Sequence, residues 1–260
     1  MSASPPSTAR RHRGELLATL VERQARLRLK RSVIGVVWPL LAPLMLFGLY
    51  AEVFGSIFDV PVPRYGVYLF AGLLPWTFLV QAVHDALQSI SFEPELVRRA
   101  RFDYELLPLA RVVVMTISFF VLLLGFIAYL AVDGTLRPAL LPALVLPLAS
   151  VILLVASLSM LVALLDVFSR ELRYVLNNLL TVWFFLVPIV YHPRMESDVI
   201  RAITRLDPMR VLVGQFRAVL YDGHIASPAG LPLATAGCLA AFVASLWLFR
   251  RLAVDLAQDV

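Results

Sequence analysis

The sequence has 260 residues, of which 60% are hydrophobic and 16% are charged, and its net charge is +5. A soluble domain normally has about a quarter of its residues charged, so this composition indicates that lipid surrounds much of the chain. The basic balance does not indicate a nucleic-acid partner, because the Lys and Arg side chains lie beside apolar segments. A lone cysteine, Cys238, excludes a disulfide framework.

Two predicted segments precede the first membrane span. Residues 1–14 are polar and are predicted to form a disordered tail. Residues 15–27 are predicted to form an amphipathic helix. One face of this helix is apolar: Leu16, Leu17, Leu20, Val21 and Leu27. Such a helix either lies on the membrane surface as an anchor or packs against a partner protein, and the sequence favours the anchor.

An uncharged run extends from Ser32 to Ala51, directly after a basic cluster. At about 1.5 Å per helical residue, its length matches a hydrocarbon core of about 30 Å. Five similar runs follow, and together they predict an all-α polytopic membrane protein with six transmembrane helices and no separate soluble domain. The predicted spans cover approximately residues 32–54, 65–88, 110–132, 138–166, 174–191 and 228–249.

Basic residues are unequally distributed between the two sides of the predicted membrane domain. An even number of spans places both termini on one side, and that side carries sixteen Lys and Arg residues. The short loops on the other side carry only Arg64 and Arg137. Because positive charge in short loops is retained in the cytoplasm, both termini are predicted to be cytoplasmic. Anionic membrane lipid is then the expected partner of the basic side chains.

Two connecting segments have stronger helix signals than a plain turn. Residues 91–108 have Glu93 before Pro94 and several arginines further on, an order that favours a short helix. This segment either retains positive charge or provides a docking surface for a soluble subunit. Residues 192–224 contain two amphipathic stretches separated at Asp207–Pro208, because the residue before a proline is disfavoured in a helix. Neither stretch can span a bilayer, so both are predicted to lie at the outer surface or to enter it partway.

The sequence contains no recognisable catalytic or metal-binding constellation. Metalloprotease, serine-hydrolase and zinc-ligand motifs are absent, and the four histidines are scattered. The only lysine, Lys30, does not belong to a phosphate-binding loop, so the chain is not predicted to hydrolyse ATP. The centres of the spans contain essentially no ionisable residues, and coupling to an ion gradient is therefore not indicated. In an active transporter, the energy would have to come from another polypeptide.

Five blocks of sequence occur in a characteristic order along residues 15–255. They are LRLKRSVIGVVWPLLAPL (27–44), YLFAGLLPWTFL (68–79), ELVRRARFDYELLPLA (95–110), FSRELRYVLNNLLTVWFFLVPIVYHP (168–193) and LDPMRVLVGQFRAVL (206–220). Together they resemble the permease subunits of ABC type-2 transporters that export polysaccharides and polyol phosphates. The chain departs from the usual pattern at Asp103, where a proline is common, at Glu171, where an aspartate is common, and at Val187, where a threonine is common.

The resemblance implies a homodimer that is paired with two copies of a separate ATPase. The ATPase would use ATP and Mg²⁺, so that this chain is not an enzyme and needs no cofactor. The cargo would be a glycan attached to a polyprenyl diphosphate, such as O-antigen or another cell-surface polymer, exported across the bacterial cytoplasmic (inner) membrane. An ABC exporter of drugs or small lipids is the alternative, and a membrane-embedded glycan-modifying enzyme is a more distant one.

The resemblance also implies three groups of functional residues. ATPase docking is expected at Glu93, Glu95, Arg98, Arg99, Arg101, Arg170 and Glu171. Contact with the lipid diphosphate is expected at Arg28, Lys30 and Arg31, although retention of positive charge explains these residues equally well. A path for the glycan is expected along Trp38, Trp76, Phe78, Phe184, Phe185 and Tyr191, although Trp and Tyr more commonly form belts at the membrane interface.

Overall fold

The fold is known from a computed structural model, which describes residues 6–31, 33–53, 62–91, 93, 103–169, 171–193, 196–226 and 230–259. Within these ranges, the description excludes the side chains of residues 6–12, 28–31, 33–40, 42, 51, 168 and 253–259. Every regular element in the described residues is a helix. The all-α class predicted from the sequence is confirmed for this part of the chain.

Nine α-helices follow one another in the described residues. They are α1 (Pro6–Arg31), α2 (Val33–Glu52), α3 (Tyr65–Leu87), α4 (Leu106–Val132), α5 (Val145–Phe168), α6 (Leu172–Leu186), α7 (Asp198–Ile203), α8 (Pro208–Arg217) and α9 (Leu231–Asp259). A 3-10 helix, Pro138–Leu144, leads into α5. A π-helical turn, Ala218–Asp222, follows α8.

Four helical segments are long and apolar enough to cross a membrane in the part of the chain that was searched, namely its described residues. They are Tyr65–Leu87, Leu106–Val132, Pro138–Val167 and Leu231–Leu252. Helix α6 is apolar but shorter. Helix α2 occupies the first predicted span, but several of its side chains lie outside the described residues. A multi-pass membrane protein is supported, whereas the count of six spans stays a prediction.

Helix α6 is shorter than the span predicted at residues 174–191. Its 15 residues extend over about 22 Å, which is less than a hydrocarbon core of about 30 Å. The helix ends at Leu186 because Val187 precedes Pro188 and takes an extended backbone, with φ −79° and ψ 131°. The segment that follows, up to Tyr191, contains turns and bends rather than helix.

Helix α3 is the central helix of the described bundle. It is buried along nearly its whole length and contacts α2, α4, α5 and α8. Its sequence is apolar on all sides, as expected for a helix with neighbours all around it. Small residues, Ala71, Gly72, Ala82 and Ala86, allow these neighbours to approach its backbone closely. In contrast, α4 and α9 each bury one face and leave large apolar side chains exposed on the other.

Helix α1 packs against the rest of the chain. It begins at Pro6, inside the segment predicted to be a disordered tail. Leu20 is buried among side chains from the ends of α4, α5 and α9, including Leu107, Leu164 and Phe249. Leu16, Leu17 and Val21 pack beside this cluster. Most of the predicted apolar face is thus covered by protein of the same chain, whereas Leu27 is exposed.

The segment 192–224 forms two short helices, α7 and α8, that separate at Asp207–Pro208 as the sequence predicts. The Asp207 side chain caps α8 by accepting a hydrogen bond from the Met209 backbone N–H at 2.9 Å. Helix α8 packs into the bundle, where Leu212 and Phe216 are fully buried. Helix α7 carries an exposed apolar stripe instead: Val199, Ile203 and, just beyond the helix, Leu206.

Candidate functional site

Side-chain contacts between distant segments cluster at two opposite ends of the described bundle. We call one the docking end; its described residues are 88–91, 93, 103–105, 166–169 and 171–173 together with α1. We call the other the cap end; its described residues are 187–193 and 196–226 together with the start of α3. Helices α3 and α5 finish at the docking end, and α4 and α6 begin there.

Two ion pairs join α1 to the two described edges of the first docking segment, residues 91–105. Arg13 donates to Asp103 through Nε and Nη2, both at 2.8 Å from a carboxylate oxygen. Arg23 Nη2 lies 2.9 Å from Glu93 Oε2. Both arginine side chains are 46% exposed, so solvent screens these pairs and each contributes modestly to stability. Together, the two pairs hold α1 beside Glu93 and Asp103.

A third ion pair at the docking end has a buried carboxylate and an arginine side chain that is 33% exposed. The Asp166 side chain has no exposed surface and accepts hydrogen bonds from Arg173 Nε at 2.9 Å and Arg173 Nη2 at 3.1 Å. The Ser91 hydroxyl donates to Asp166 Oδ2 at 2.8 Å. A buried carboxylate is costly unless it is paired and hydrogen-bonded, and these donors supply both conditions. A further pair, Arg250 Nε to Glu105 Oε1 at 3.0 Å, joins α9 to the start of α4.

The structure describes only part of the predicted docking and diphosphate-binding sets. Glu93 lies beside α1, and Glu171 is exposed immediately before α6. The other predicted docking residues lie outside the described ones: Glu95, Arg98, Arg99, Arg101 and Arg170. The predicted diphosphate contacts occupy the last turn of α1, and their side chains are also outside the description: Arg28, Lys30 and Arg31.

Arg217 is the central residue of the cap end. It is 4% exposed and donates hydrogen bonds to the backbone carbonyls of Tyr68, Pro188 and Ile189. Its guanidinium carbon also lies 3.7 Å from the centre of the Tyr68 ring. Burial lowers the pKa of Arg217, and the nearby tyrosines and Asp222 act in the opposite direction. The carbonyls of residues 188 and 189 follow the end of α6, so Arg217 supplies donors that the helix no longer provides.

Tyrosines of α3 hold the same non-helical segment from a second side. The Tyr65 hydroxyl donates to the Val190 carbonyl, and the Tyr68 hydroxyl donates to the Tyr191 carbonyl, both at 2.8 Å. The Tyr191 hydroxyl in turn donates to the Phe185 carbonyl at 2.9 Å. Side chains from α3 and α8 therefore satisfy the backbone between α6 and α7.

Two further contacts attach α6 and α7 to α8. Trp183 Nε1 donates to Asp207 Oδ2 at 2.7 Å. Burial raises the pKa of Asp207, and the hydrogen bonds from Trp183 and from the Met209 backbone oppose this rise. Arg210 donates two hydrogen bonds to the fully buried Glu196 carboxylate, at 2.6 and 2.9 Å.

Three of the aromatic residues predicted for a glycan path are buried inside the chain. Trp76 and Phe184 pack on each other with their ring centres 5.7 Å apart. Phe78 stacks on Phe119 at 4.6 Å. Each of the three predicted residues has less than a tenth of its surface exposed, so within one chain they pack the interior.

Two other predicted aromatic residues are accessible. Phe185 is 54% exposed on α6, and Tyr191 is half-buried in the segment after it. The side chain of the sixth residue, Trp38, lies outside the described residues.

Helix α6 exposes one broad face that mixes polar and apolar side chains. Its buried side chains are Leu176, Leu180 and Phe184. The exposed ones are Tyr174, Val175, Asn177, Asn178, Leu179, Thr181, Val182 and Phe185. Two adjacent amides thus lie near the middle of an exposed face in an otherwise apolar helix. Among the described residues, no group of three or more His, Cys, Asp or Glu is placed to hold a metal ion.

Comparison with known proteins gives relatives of one kind. No protein-family model matches the chain. It is 29% identical over 216 residues to the O-antigen export system permease protein RfbA of Myxococcus xanthus, covering 81% of this chain and 82% of that protein. Two proteins of the same name from Klebsiella pneumoniae are 24% and 23% identical, each over at least 80% of both chains. The five-block resemblance is thereby confirmed: over about four fifths of its length, the chain is similar to O-antigen export permease proteins.

Proposed function

We propose that this chain is the membrane subunit of an exporter for a lipid-linked surface polysaccharide, driven by ATP hydrolysis in a separate subunit. The observation that carries the proposal is the similarity to three O-antigen export permeases over about four fifths of each chain. The sequence has no phosphate-binding loop of its own, which is consistent with a separate ATPase. Two ATPase copies and two copies of this chain would form the transporter, in the bacterial cytoplasmic membrane with all termini in the cytoplasm.

The exposed face of α6 supports the proposal that two copies of this chain associate. In lipid, the amides of Asn177 and Asn178 would lie in hydrocarbon, where a polar group without hydrogen bonds is costly. Contact with a second copy, or with water between two copies, removes that cost. We therefore place the interface of the homodimer on this face.

The same face bears on the path of the glycan. Phe185 lies at its cap end, and Tyr191 follows in the adjoining segment. Flat aromatic surfaces at these positions would contact sugar rings as the chain passes between two copies. Trp76, Phe78 and Phe184 would then support the path from behind, and Trp38 is retained as a proposed contact.

The docking end is proposed to receive the ATPase. Residues 91–105 and 169–173 would contact its surface, and the ATPase would use ATP and Mg²⁺. Arg28, Lys30 and Arg31 end the helix that crosses this face and precede α2 directly. Guanidinium and ammonium groups at that position would bind a lipid diphosphate through charge-assisted hydrogen bonds.

The test is reconstitution with a partner ATPase. The chain is co-expressed with each ABC-type ATPase of the source genome, purified in lipid, and assayed for ATP hydrolysis with and without polyprenyl-diphosphate glycan. We expect one ATPase to co-purify and its hydrolysis rate to respond to the glycan, and we expect a deletion strain to lose surface polymer. Normal surface polymer in the deletion strain, together with no bound ATPase, would contradict the proposal. A response to small amphiphiles alone would favour the exporter of drugs or small lipids.

A further inference from the structure

Asp166 joins two segments that are far apart in the sequence and adjacent at the docking end. Ser91 opens the first docking segment, and Arg173 lies in the first turn of α6, where the second docking segment, residues 169–173, ends. Both donate to the Asp166 carboxylate, at 2.8 Å for Ser91 and 2.9 and 3.1 Å for Arg173. We call these three residues the Asp166 junction.

The junction is also an attachment point of α6. Along its middle, α6 borders an apolar pocket of about 370 Å³ that is partly open to the surface and is also lined by Val83 of α3 and Val162 of α5. The described hydrogen bonds from side chains of α6 to other parts of the chain lie near its two ends. Trp183 bonds to Asp207 near the cap end, and Arg173 bonds to Asp166 at the docking end.

Because Asp166 is buried, the junction depends on the positions of its hydrogen-bond donors. The Asp166 side chain is fully buried, so water does not replace a lost donor cheaply. A charged carboxylate at this depth is stabilised by both the guanidinium and the hydroxyl, so loss of the hydroxyl weakens the contact that remains with Arg173. Displacement of Ser91 with the first docking segment would therefore disturb Arg173 and, through it, the start of α6.

We propose that Asp166 is a positioning residue that makes Ser91, at the edge of the first docking segment, and the start of α6 move as one unit. Its functional consequence rests on the proposed function, because the force on these segments would come from a docked ATPase. Movement of the ATPase surface would then reach the α6 face that borders the second copy and the glycan.

The chain offers a matched pair of variants to test this junction. Ser91→Ala removes the hydrogen bond to Asp166 while keeping both members of the ion pair, Asp166 and Arg173, so that any change at Arg173 reports coupling through Asp166. Ser89→Ala is the control, because the buried Ser89 hydroxyl has no hydrogen-bond partner among the residues that the structure describes. Asp166→Asn is a second variant that removes the charge, and it is compared only where its thermal unfolding shows a folded protein.

The first experiment needs no ATPase. Hydrogen–deuterium exchange is measured on the whole permease in lipid nanodiscs, in peptides covering residues 88–93 and 169–175. In Ser91→Ala we expect exchange to rise in both peptides, by about tenfold, because a hydrogen bond to a charged group contributes that order of free energy. A purely local role predicts a rise at 88–93 alone. That result, or equal exchange at 169–175 in Ser91→Ala and Ser89→Ala, would overturn the proposal.

The second experiment measures coupling in the complete transporter. In Ser91→Ala we expect about fivefold less glycan exported per ATP hydrolysed, with an unchanged amount of co-purified ATPase, since coupling free energies commonly have this size. Ser89→Ala should match the wild type, and an unchanged ratio in Ser91→Ala would overturn the functional role. If exchange rises at both segments but no variant, including the wild type, binds an ATPase, the junction is supported and the proposed function fails.

Discussion

At the residue scale, the Arg217 guanidinium occupies the space that a side chain at position 72 would need. A Cβ atom added to Gly72 would lie 2.7 Å from Arg217 Nη2 and 3.0 Å from its guanidinium carbon. The guanidinium cannot shift freely, because it is buried and bonded to three backbone carbonyls. Glycine is required at position 72 because the Arg217 side chain approaches it closely. The backbone of Gly72 itself has an ordinary helical conformation.

We expect Gly72→Ala to destabilise the protein by about 2 kcal/mol, the order of hydrogen bonds to a buried charged group. Thermal unfolding in lipid nanodiscs measures the loss. Gly125→Ala in α4 is the control, because an added Cβ there meets nothing within 4 Å and alanine favours the helix. An equal midpoint for the two variants would show that Arg217 moves aside without cost.

At the scale of the element, α6 has a partly polar exposed face that the rest of the same chain does not cover. Its exposed face carries two asparagines, whereas the exposed face of α9 has apolar residues such as Val243 and Trp247. Lipid covers the apolar face of α9 without a cost in free energy, whereas covering the asparagines of α6 with lipid is costly. The two helices should therefore have different neighbours.

A cysteine pair distinguishes these neighbours. In a Cys238→Ala background, we expect Val182→Cys on α6 to form a disulfide between two copies on mild oxidation. Val243→Cys on α9 has a similar exposure and should remain monomeric, because lipid surrounds it. Non-reducing electrophoresis of membranes measures the cross-link. Equal cross-linking at the two positions would remove α6 as the preferred interface.

Helix α1 gives a second prediction at this scale. Arg13→Asp should repel Asp103 and loosen residues 103–105, raising their hydrogen exchange, and Arg13→Asp combined with Asp103→Arg should restore it. The change in stability should be below about 1 kcal/mol, because the pair is partly exposed. Arg26→Asp is the control, since Arg26 pairs with Glu22 on α1 itself. Failure of the charge exchange to restore protection would exclude the ion pair as the cause.

At the scale of the whole molecule, the membrane topology is the prediction that most constrains function. Reporter fusions are placed after Gly134, Ser169 and His224 and at the C-terminus. The distribution of Lys and Arg predicts outside, inside, outside and inside in that order. If the reporters after Ser169 and His224 lie on the same side, α6 does not cross the membrane and the count of six spans is wrong.

Local chemistry made part of this structure predictable from the sequence. The break between α7 and α8 was predicted at Asp207–Pro208, because proline acts on its immediate neighbours whatever surrounds them. The end of α6 at Leu186 has the same kind of cause, and Pro188 was the available signal. Asp103 was identified only as a departure from the family pattern, and neither its partner nor the ion pair of Asp166 was predicted.

The sequence by itself determined the membrane class, the helical break at Asp207–Pro208 and the lack of a phosphate-binding loop, because each depends on composition or on neighbouring residues. Only the tertiary structure decided what covers each apolar face. In the folded chain, α8 is buried, α1 packs against other helices of the same chain, and Arg217 contacts Tyr68, which is 149 residues away in the sequence. The physical reason is that lipid and a protein interior are equally apolar, so a hydrophobic pattern identifies a face but not its neighbour.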